Sequence, residues 1–202
     1  KPLAQSLRDG DHIHAVIKAS ALNAGGRTHG YTVPNPVAQA EVVSTALERA
    51  GVDSNDVSYL EAHGTGTALG DPIEVAGLTR AFRERGRADS AVRDQHCAIG
   101  SLKSNIGHCE SAAGIAGLTK VLLQLRHRQL VPSLHAEQVN DEIDFEATPF
   151  RLQRELSAWR APVDGGREIP RIAGISSFGA GGANAHLIVQ EAPARARARA
   201  GY

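Results

Sequence analysis

The stretch EAHGTGTALGDPIE, residues 61–74, decides the fold because it joins a strand to a helix through a polar turn. Residues 57–63 predict a buried strand. The DPIE tetrapeptide at 71–74 predicts a helix start, with its aspartate as the N-cap, its proline in the first turn and its glutamate completing a capping box. His63 therefore leaves a strand and enters a turn whose glycines let a ligand approach the backbone.

Two further polar turns occur where strands are predicted to end. GSLKSNIGHCESAAGIAGLTK, residues 100–120, follows a predicted strand at 97–101. A long helix of small and apolar residues is predicted from 107 to 130. ISSFGAGGANAH, residues 175–186, joins two predicted strands through a glycine-rich turn. Helices alternating with strands predict a layered α/β domain, and such folds place their sites where strands end.

Each turn has a functional and a plain interpretation. His63 is either a catalytic imidazole or a strand-end histidine satisfied by the backbone. His108 lies near a predicted helix N-terminus, where the macrodipole favours a neutral imidazole that can donate a hydrogen bond to an enolate. It could equally cap the helix, with Lys103 as a surface charge. The glycine-rich turn offers N–H groups for an oxyanion hole or is a simple hairpin. It lacks the strand-to-helix context of a dinucleotide loop.

The composition favours a folded globular protein and gives no support for a nucleic-acid-binding, membrane-spanning or disulfide-rich one. The 202 residues are 42% hydrophobic and 22% charged, as expected of a folded globular chain. The 22 basic residues balance the 22 acidic ones, so net charge gives no support for a nucleic acid or a membrane as partner. No apolar run is long enough to span a bilayer. Two cysteines argue against a disulfide framework and favour the cytoplasm.

A metal site or a cysteine–histidine hydrolase is not expected from the two His-Cys pairs. These pairs are His96-Cys97 and His108-Cys109. Adjacent residues on a strand point to opposite faces, and neighbours on a helix do not face each other. We therefore predict no metal ligands and no local nucleophile–base pair.

The three stretches 61–74, 100–120 and 175–186, in this order, resemble the C-terminal half of a β-ketoacyl synthase of the thiolase-like condensing-enzyme family. The sequences of these stretches are most similar to those of ketosynthase domains of bacterial modular polyketide synthases. Two features favour a resemblance to assembly lines whose acyltransferase acts in trans. They are the alanine after Phe178-Gly179 and the segment at 132–150. The resemblance implies half of a layered α/β/α/β/α fold at 1–191, followed by a linker at 192–202.

The resemblance also implies roles for the polar residues of the first two turns. His63 and His108 would promote decarboxylation of a malonyl unit on an acyl carrier protein and stabilise the enolate. Lys103 and Glu74 would form a supporting pair. No cofactor of the chain's own is implied, because the phosphopantetheine arm of the carrier protein delivers the substrate.

The remaining implied contacts are to substrate. Thr65 and Thr67 would hydrogen-bond the phosphopantetheine arm. Phe178, Gly179 and Ala180 would line the acyl site, with the Ala180 N–H completing the oxyanion hole. Many relatives carry an aromatic gate where this chain has Ala180, so a wider acyl pocket is expected.

The family's nucleophile is absent from these residues. It lies in a Thr-Ala-Cys-Ser-Ser turn before the first histidine, a context that neither Cys97 nor Cys109 has. Since residues 1–18 also read as a helix end running into a strand, we expect a fragment. The expected partners are an N-terminal half carrying the cysteine, an acyl carrier protein and a second copy of the complete domain. The alternatives are a non-elongating domain, disfavoured by the presence of both histidines, or a structural docking half.

Overall fold

A computed structural model describes residues 1–28, 30, 33–86 and 91–194. Its helices are α1 (Leu3–Asp9), α2 (Pro36–Ala50), α3 (Gly70–Glu84), α4 (Lys103–Ile106) and α5 (Ala113–His127). Its strands are β1 (Ala15–Ala24), β2 (Val57–Glu61), β3 (Cys97–Gly100), β4 (Gln129–Leu130), β5 (Phe150–Leu152), β6 (Ser157–Ala158), β7 (Val163–Asp164), β8 (Arg167–Glu168), β9 (Ile172–Phe178) and β10 (Ala183–Glu191).

The fold is organised around a six-stranded mixed sheet with the order β1-β10-β9-β2-β3-β5. The neighbours β1, β10 and β9 are antiparallel, whereas β9, β2, β3 and β5 run parallel. Parallel strands end at the same edge of a sheet. The residues that follow β2, β3 and β9 therefore meet at one edge, and these are the three polar turns of the sequence.

Helices cover both faces of this sheet. Helices α2 and α3 bury Val43, Leu47 and Phe82 against one face. Helix α5 buries Val121 and Leu125 against the other face. The expected layered α/β arrangement is therefore confirmed, with one sheet between two helical layers.

Three local predictions are corrected. The long helix expected from 107 to 130 begins at Ala113, because a 3₁₀ turn at Glu110–Ala112 precedes it. It ends at His127, because Arg128 adopts the left-handed conformation with a φ of 54°. The capping box is wrong as well. Helix α3 begins at Gly70, and Asp71 instead accepts a hydrogen bond from the Gly66 N–H at 3.0 Å.

Candidate active site

The turn that carries His63 is fixed by a carboxylate from α3. Glu74 accepts the backbone N–H of His63 at 2.7 Å and that of Gly64 at 2.8 Å. Burial raises the pKa of Glu74 to about 7, although both N–H donors favour the charged form. Gly64 has a φ of +48°, and an added Cβ would lie 2.7 Å from the Cβ of Ser101. The turn therefore requires glycine and is anchored by the residue that sequence reasoning assigned to a capping box or a lysine pair.

The imidazole of His63 is held in one neutral form. Its Nδ1 accepts the backbone N–H of Phe178 at 3.3 Å. Burial lowers the pKa of His63 to about 4, and the nearby charges of Lys103 and His108 act in the same direction. A neutral ring that accepts at Nδ1 carries its proton on Nε2. His63 therefore presents an Nε2–H donor.

His108 has the same tautomer but a different anchor. Its Nδ1 accepts the N–H of Glu110, two residues further along the chain, at 2.9 Å. The 3₁₀ turn separates it from α5, so it does not cap that helix. The ring centroids of His63 and His108 are 5.5 Å apart, edge to face. The two histidines expected to work together are therefore neighbours.

Lys103 and Glu74 do not form the expected direct pair. Within the part of the chain that the structure describes, no ion pair joins them. Burial lowers the pKa of Lys103, and the carboxylates of Glu74 and Glu61 act against that shift. Lys103 begins α4, close enough to lower the pKa of His63. It is thus a half-buried cation at the edge of the histidine pair.

The threonines of the first turn face solvent. Thr65 and Thr67 are exposed, and their hydroxyl oxygens lie 3.3 Å apart. The Thr67 hydroxyl also accepts the N–H of Gly70 at 3.0 Å. Both hydroxyls are open to a ligand arriving from outside, so their assignment to the phosphopantetheine arm stays a prediction.

The third turn is a hairpin between β9 and β10. The Gly179 N–H donates to the carbonyl of Ala183 at 2.7 Å, and the Gly182 N–H donates back to Gly179 at 2.9 Å. Phe178 is buried, with its ring centroid 5.7 Å from that of His63. The N–H of Ala180 donates no hydrogen bond within the described residues. The Ala180 N–H therefore lies two residues after Phe178, whose own N–H donates to the Nδ1 of His63.

A buried ion pair at this site was missed by sequence reasoning. Glu61 accepts hydrogen bonds from the Lys120 Nζ at 2.8 Å, the Tyr59 hydroxyl at 2.7 Å and the Leu102 backbone N–H at 2.6 Å. The charged side chains of Glu61 and Lys120 are 4% and 5% exposed. The available signal was a glutamate in an otherwise buried strand and a lysine on a helix of small residues.

The two cysteines differ in environment. Cys97 is fully buried in β3, and burial raises the pKa of its thiol far above its ordinary value. Cys109 is half-buried and lines a small cavity with Lys103 and Gly117. Sequence reasoning gave Cys109 no place near the site. Among the described residues, no group of three or more possible metal ligands occurs, and no helix is long and apolar enough to cross a membrane.

Comparisons with known proteins agree on one family. Residues 14–137 match the model of the beta-ketoacyl synthase C-terminal domain. The chain is 62% identical over 191 residues to polyketide synthase PksM of Bacillus subtilis, covering 95% of this chain and 4% of PksM. It is 65% identical over 191 residues to polyketide synthase ThaG of Burkholderia thailandensis, covering 95% of this chain and 3% of ThaG.

Solved structures give the same result. The oxazolomycin ketosynthase domain OzmH KS7 of Streptomyces albus superposes with a TM-score of 0.89 at 54% identity, covering 96% of this chain and 33% of that one. The module 6 ketosynthase of the Bacillus subtilis bacillaene synthase superposes with a TM-score of 0.88 at 41% identity, with 96% and 33% coverage. The fold is thus that of the thiolase-like ketosynthases. The chain belongs to the beta-ketoacyl synthase family. It spans only a part of the length of the relatives it matches.

Proposed function

We propose that this chain supplies both histidines of a polyketide ketosynthase, for decarboxylative Claisen condensation of an acyl thioester with malonyl-acyl carrier protein. The observation that carries the proposal is the pair of imidazoles 5.5 Å apart, each with its Nδ1 occupied by a backbone N–H. Both Nε2–H groups are then free to donate to one substrate. A plain strand-end histidine would need neither the second ring nor this shared tautomer.

The chemistry needs hydrogen-bond donors rather than acids. Decarboxylation breaks the bond between the malonyl α-carbon and its carboxylate, releases carbon dioxide and leaves the electron pair as a thioester enolate. Two Nε2–H donors stabilise the negative oxygen of that enolate. The enolate carbon then attacks the carbonyl carbon of an acyl-cysteine, and the cysteine thiolate leaves. His63 stays neutral in this role, because burial lowers its pKa to about 4.

The nucleophilic cysteine is proposed to lie outside the chain. The thiolate is the reactive form of cysteine, and the buried thiol of Cys97 resists ionisation. Cys109 follows His108 directly and lacks the sequence context of the family nucleophile. The proposed partners are a segment carrying that cysteine, an acyl carrier protein with its phosphopantetheine arm, and a second copy of the complete domain. Trans-acting acyltransferases and a cytoplasmic location remain predictions from the sequence.

Malonyl decarboxylation by the complete domain tests the function. We expect a domain that joins this chain to its cysteine-bearing part to release carbon dioxide from malonyl-acyl carrier protein and to extend a bound acyl group. Acylation without decarboxylation would instead support a non-elongating domain. Absence of both reactions in a folded domain would support a structural docking half.

The location of the nucleophile has its own test. Residues 1–202 alone, incubated with an acyl thioester and malonyl-acyl carrier protein, are expected to give no stable acyl-enzyme and no product. Intact mass measurement detects acylation directly, with the complete domain as the positive control. Stable acylation of Cys97 or Cys109 followed by product formation would contradict the proposal.

A further inference from the structure

We infer that the buried Glu61–Lys120 pair is a positioning unit that sets the geometry between the two histidine turns, an inference that rests on the function proposed above. Glu61 ends β2, two residues before His63. Lys120 belongs to α5, which follows the loop that carries His108. One carboxylate therefore joins the element before one histidine to the element after the other.

A third contact ties the unit to the loop between β3 and α4. The second carboxylate oxygen of Glu61 accepts the backbone N–H of Leu102 at 2.6 Å. Leu102 immediately precedes α4, whose first residue is Lys103 and whose end leads into His108. The Lys120 pair and the Tyr59 hydroxyl use the other oxygen. Glu61 thus binds the start of the segment that leads to His108 and is itself bound by Lys120 of α5.

The packing leaves this unit little freedom to move. A Cβ added at Gly117 would lie 3.1 Å from the Cγ of Glu61, so α5 approaches the sheet as closely as a glycine allows. A buried ion pair is seldom needed for stability, because apolar residues of similar volume often replace it without loss. What apolar side chains cannot supply here is an acceptor for the Leu102 N–H. The geometry points to alignment of the two imidazoles as the role of the carboxylate.

Two double variants of the complete domain separate alignment from stability. Glu61→Gln with Lys120→Met removes both charges but keeps an amide oxygen that accepts the Leu102 N–H. Glu61→Leu with Lys120→Met removes both charges and that acceptor. We expect the Leu–Met variant to lose about 10- to 100-fold in malonyl decarboxylation relative to cysteine acylation, because misplacement by about an ångström costs rates of this order. The Gln–Met variant should stay within about threefold of the wild-type ratio, which is small on that scale.

A second substitution keeps the inference testable if the Leu–Met variant does not fold. Leu102→Pro removes the N–H that Glu61 accepts and leaves both charged side chains of the ion pair in place, and the φ of Leu102, −65°, is already that of a proline. We expect the same selective loss of decarboxylation. The matched control is the part-buried ion pair Arg171–Glu191, at 2.9 Å, at the end of β9 and β10 away from the histidines. Arg171→Met with Glu191→Gln should leave the ratio of the two rates unchanged.

The ratio of malonyl decarboxylation to cysteine acylation separates the positioning role from the proposed function and from stability. A wild-type domain that does not decarboxylate malonyl-acyl carrier protein would overturn the proposed function itself. An active wild type whose Leu–Met and Leu102→Pro variants keep the wild-type ratio would overturn the positioning role alone. If the decarboxylation and acylation rates fall equally, in proportion to the decrease in the thermal unfolding midpoint, the ion pair serves stability. That result would also reject the inference.

Discussion

The turn of His63 and the turn of His108 present the same imidazole tautomer but are held in different ways. The Nδ1 of His63 accepts from Phe178, 115 positions away, and its backbone is held by Glu74 from α3. The Nδ1 of His108 accepts from Glu110, two positions away. The first histidine is also half-buried, whereas the second is exposed in this chain. One half of the site is therefore built by tertiary packing and the other by its own turn, so distant substitutions should disturb mainly His63.

The largest expected effect comes from removing either ring. His63→Ala and His108→Ala in the complete domain should each slow malonyl decarboxylation by about 10²- to 10⁴-fold, because each removes one positioned donor. Acylation of the cysteine should suffer less. Release of labelled carbon dioxide measures the first rate and intact mass the second.

His127→Ala is the matched control for these two variants. It lies at the other end of α5, a 15-residue helix about 22 Å long, and should leave both rates unchanged. A histidine variant that decarboxylates at the wild-type rate would remove that ring from the mechanism.

The second effect is the titration of His63. Because burial lowers its pKa from 6.5 to about 4, the ring should stay neutral through the range in which an ordinary histidine becomes charged. Its contribution to stability is then present above pH 6.5 and is lost as the pH falls toward 4. Carbon-13 labelling of the imidazoles with NMR detection measures the midpoint, and His63→Phe assigns the signal. A midpoint near 6.5 would contradict the difference between the two turns, since the imidazole of His63 would then titrate like that of a free histidine.

A smaller effect should follow from Glu74→Gln. The amide keeps one acceptor oxygen and points an N–H₂ group at the other backbone N–H. One buried donor therefore loses its partner, at a cost of about 1–3 kcal/mol in the free energy of unfolding. The NMR signal of His63 should shift, while that of His108 should not, because only the first turn rests on α3.

Glu84→Gln provides the control on the same helix. Glu84 pairs with Arg80 at the surface, where water screens the charges, so its substitution should change stability far less. Equal shifts of both histidine signals in Glu74→Gln would show that the two turns are not held separately.

The smallest expected effect is the coupling between Glu74 and Lys103. Since no ion pair joins them, Glu74→Gln and Lys103→Met should be additive within about 0.5 kcal/mol in the free energy of unfolding. The matched cycle of Glu61→Gln and Lys120→Met should show a coupling at the upper end of about 0.5–3 kcal/mol, because these groups touch. A coupling above about 1 kcal/mol in the cycle of Glu74→Gln and Lys103→Met would show that these two side chains interact directly.

Much of the framework was predictable from the sequence. Apolar runs followed by polar, glycine-containing turns gave the strands β2, β3 and β9 and the positions of both histidines. Helix boundaries were less predictable. Residues 107–112 (GHCESA) continue into the helical pattern, but the Glu110 N–H donates to the His108 ring in a separate turn, so α5 starts only at Ala113. The apparent capping box failed because the Glu74 carboxylate has better donors in the neighbouring turn than in its own helix.

By itself the sequence determined the order of the three turns, their places at strand ends and the resemblance to the beta-ketoacyl synthases. Only the tertiary structure decided which groups hold each imidazole, that Glu74 binds backbone rather than Lys103, and that Glu61 pairs with Lys120, 59 positions away. The physical reason is the range of the contacts. Strand and turn patterns depend on neighbouring residues, whereas these hydrogen bonds depend on the register of parallel strands and on how closely α5 packs against the sheet at Gly117.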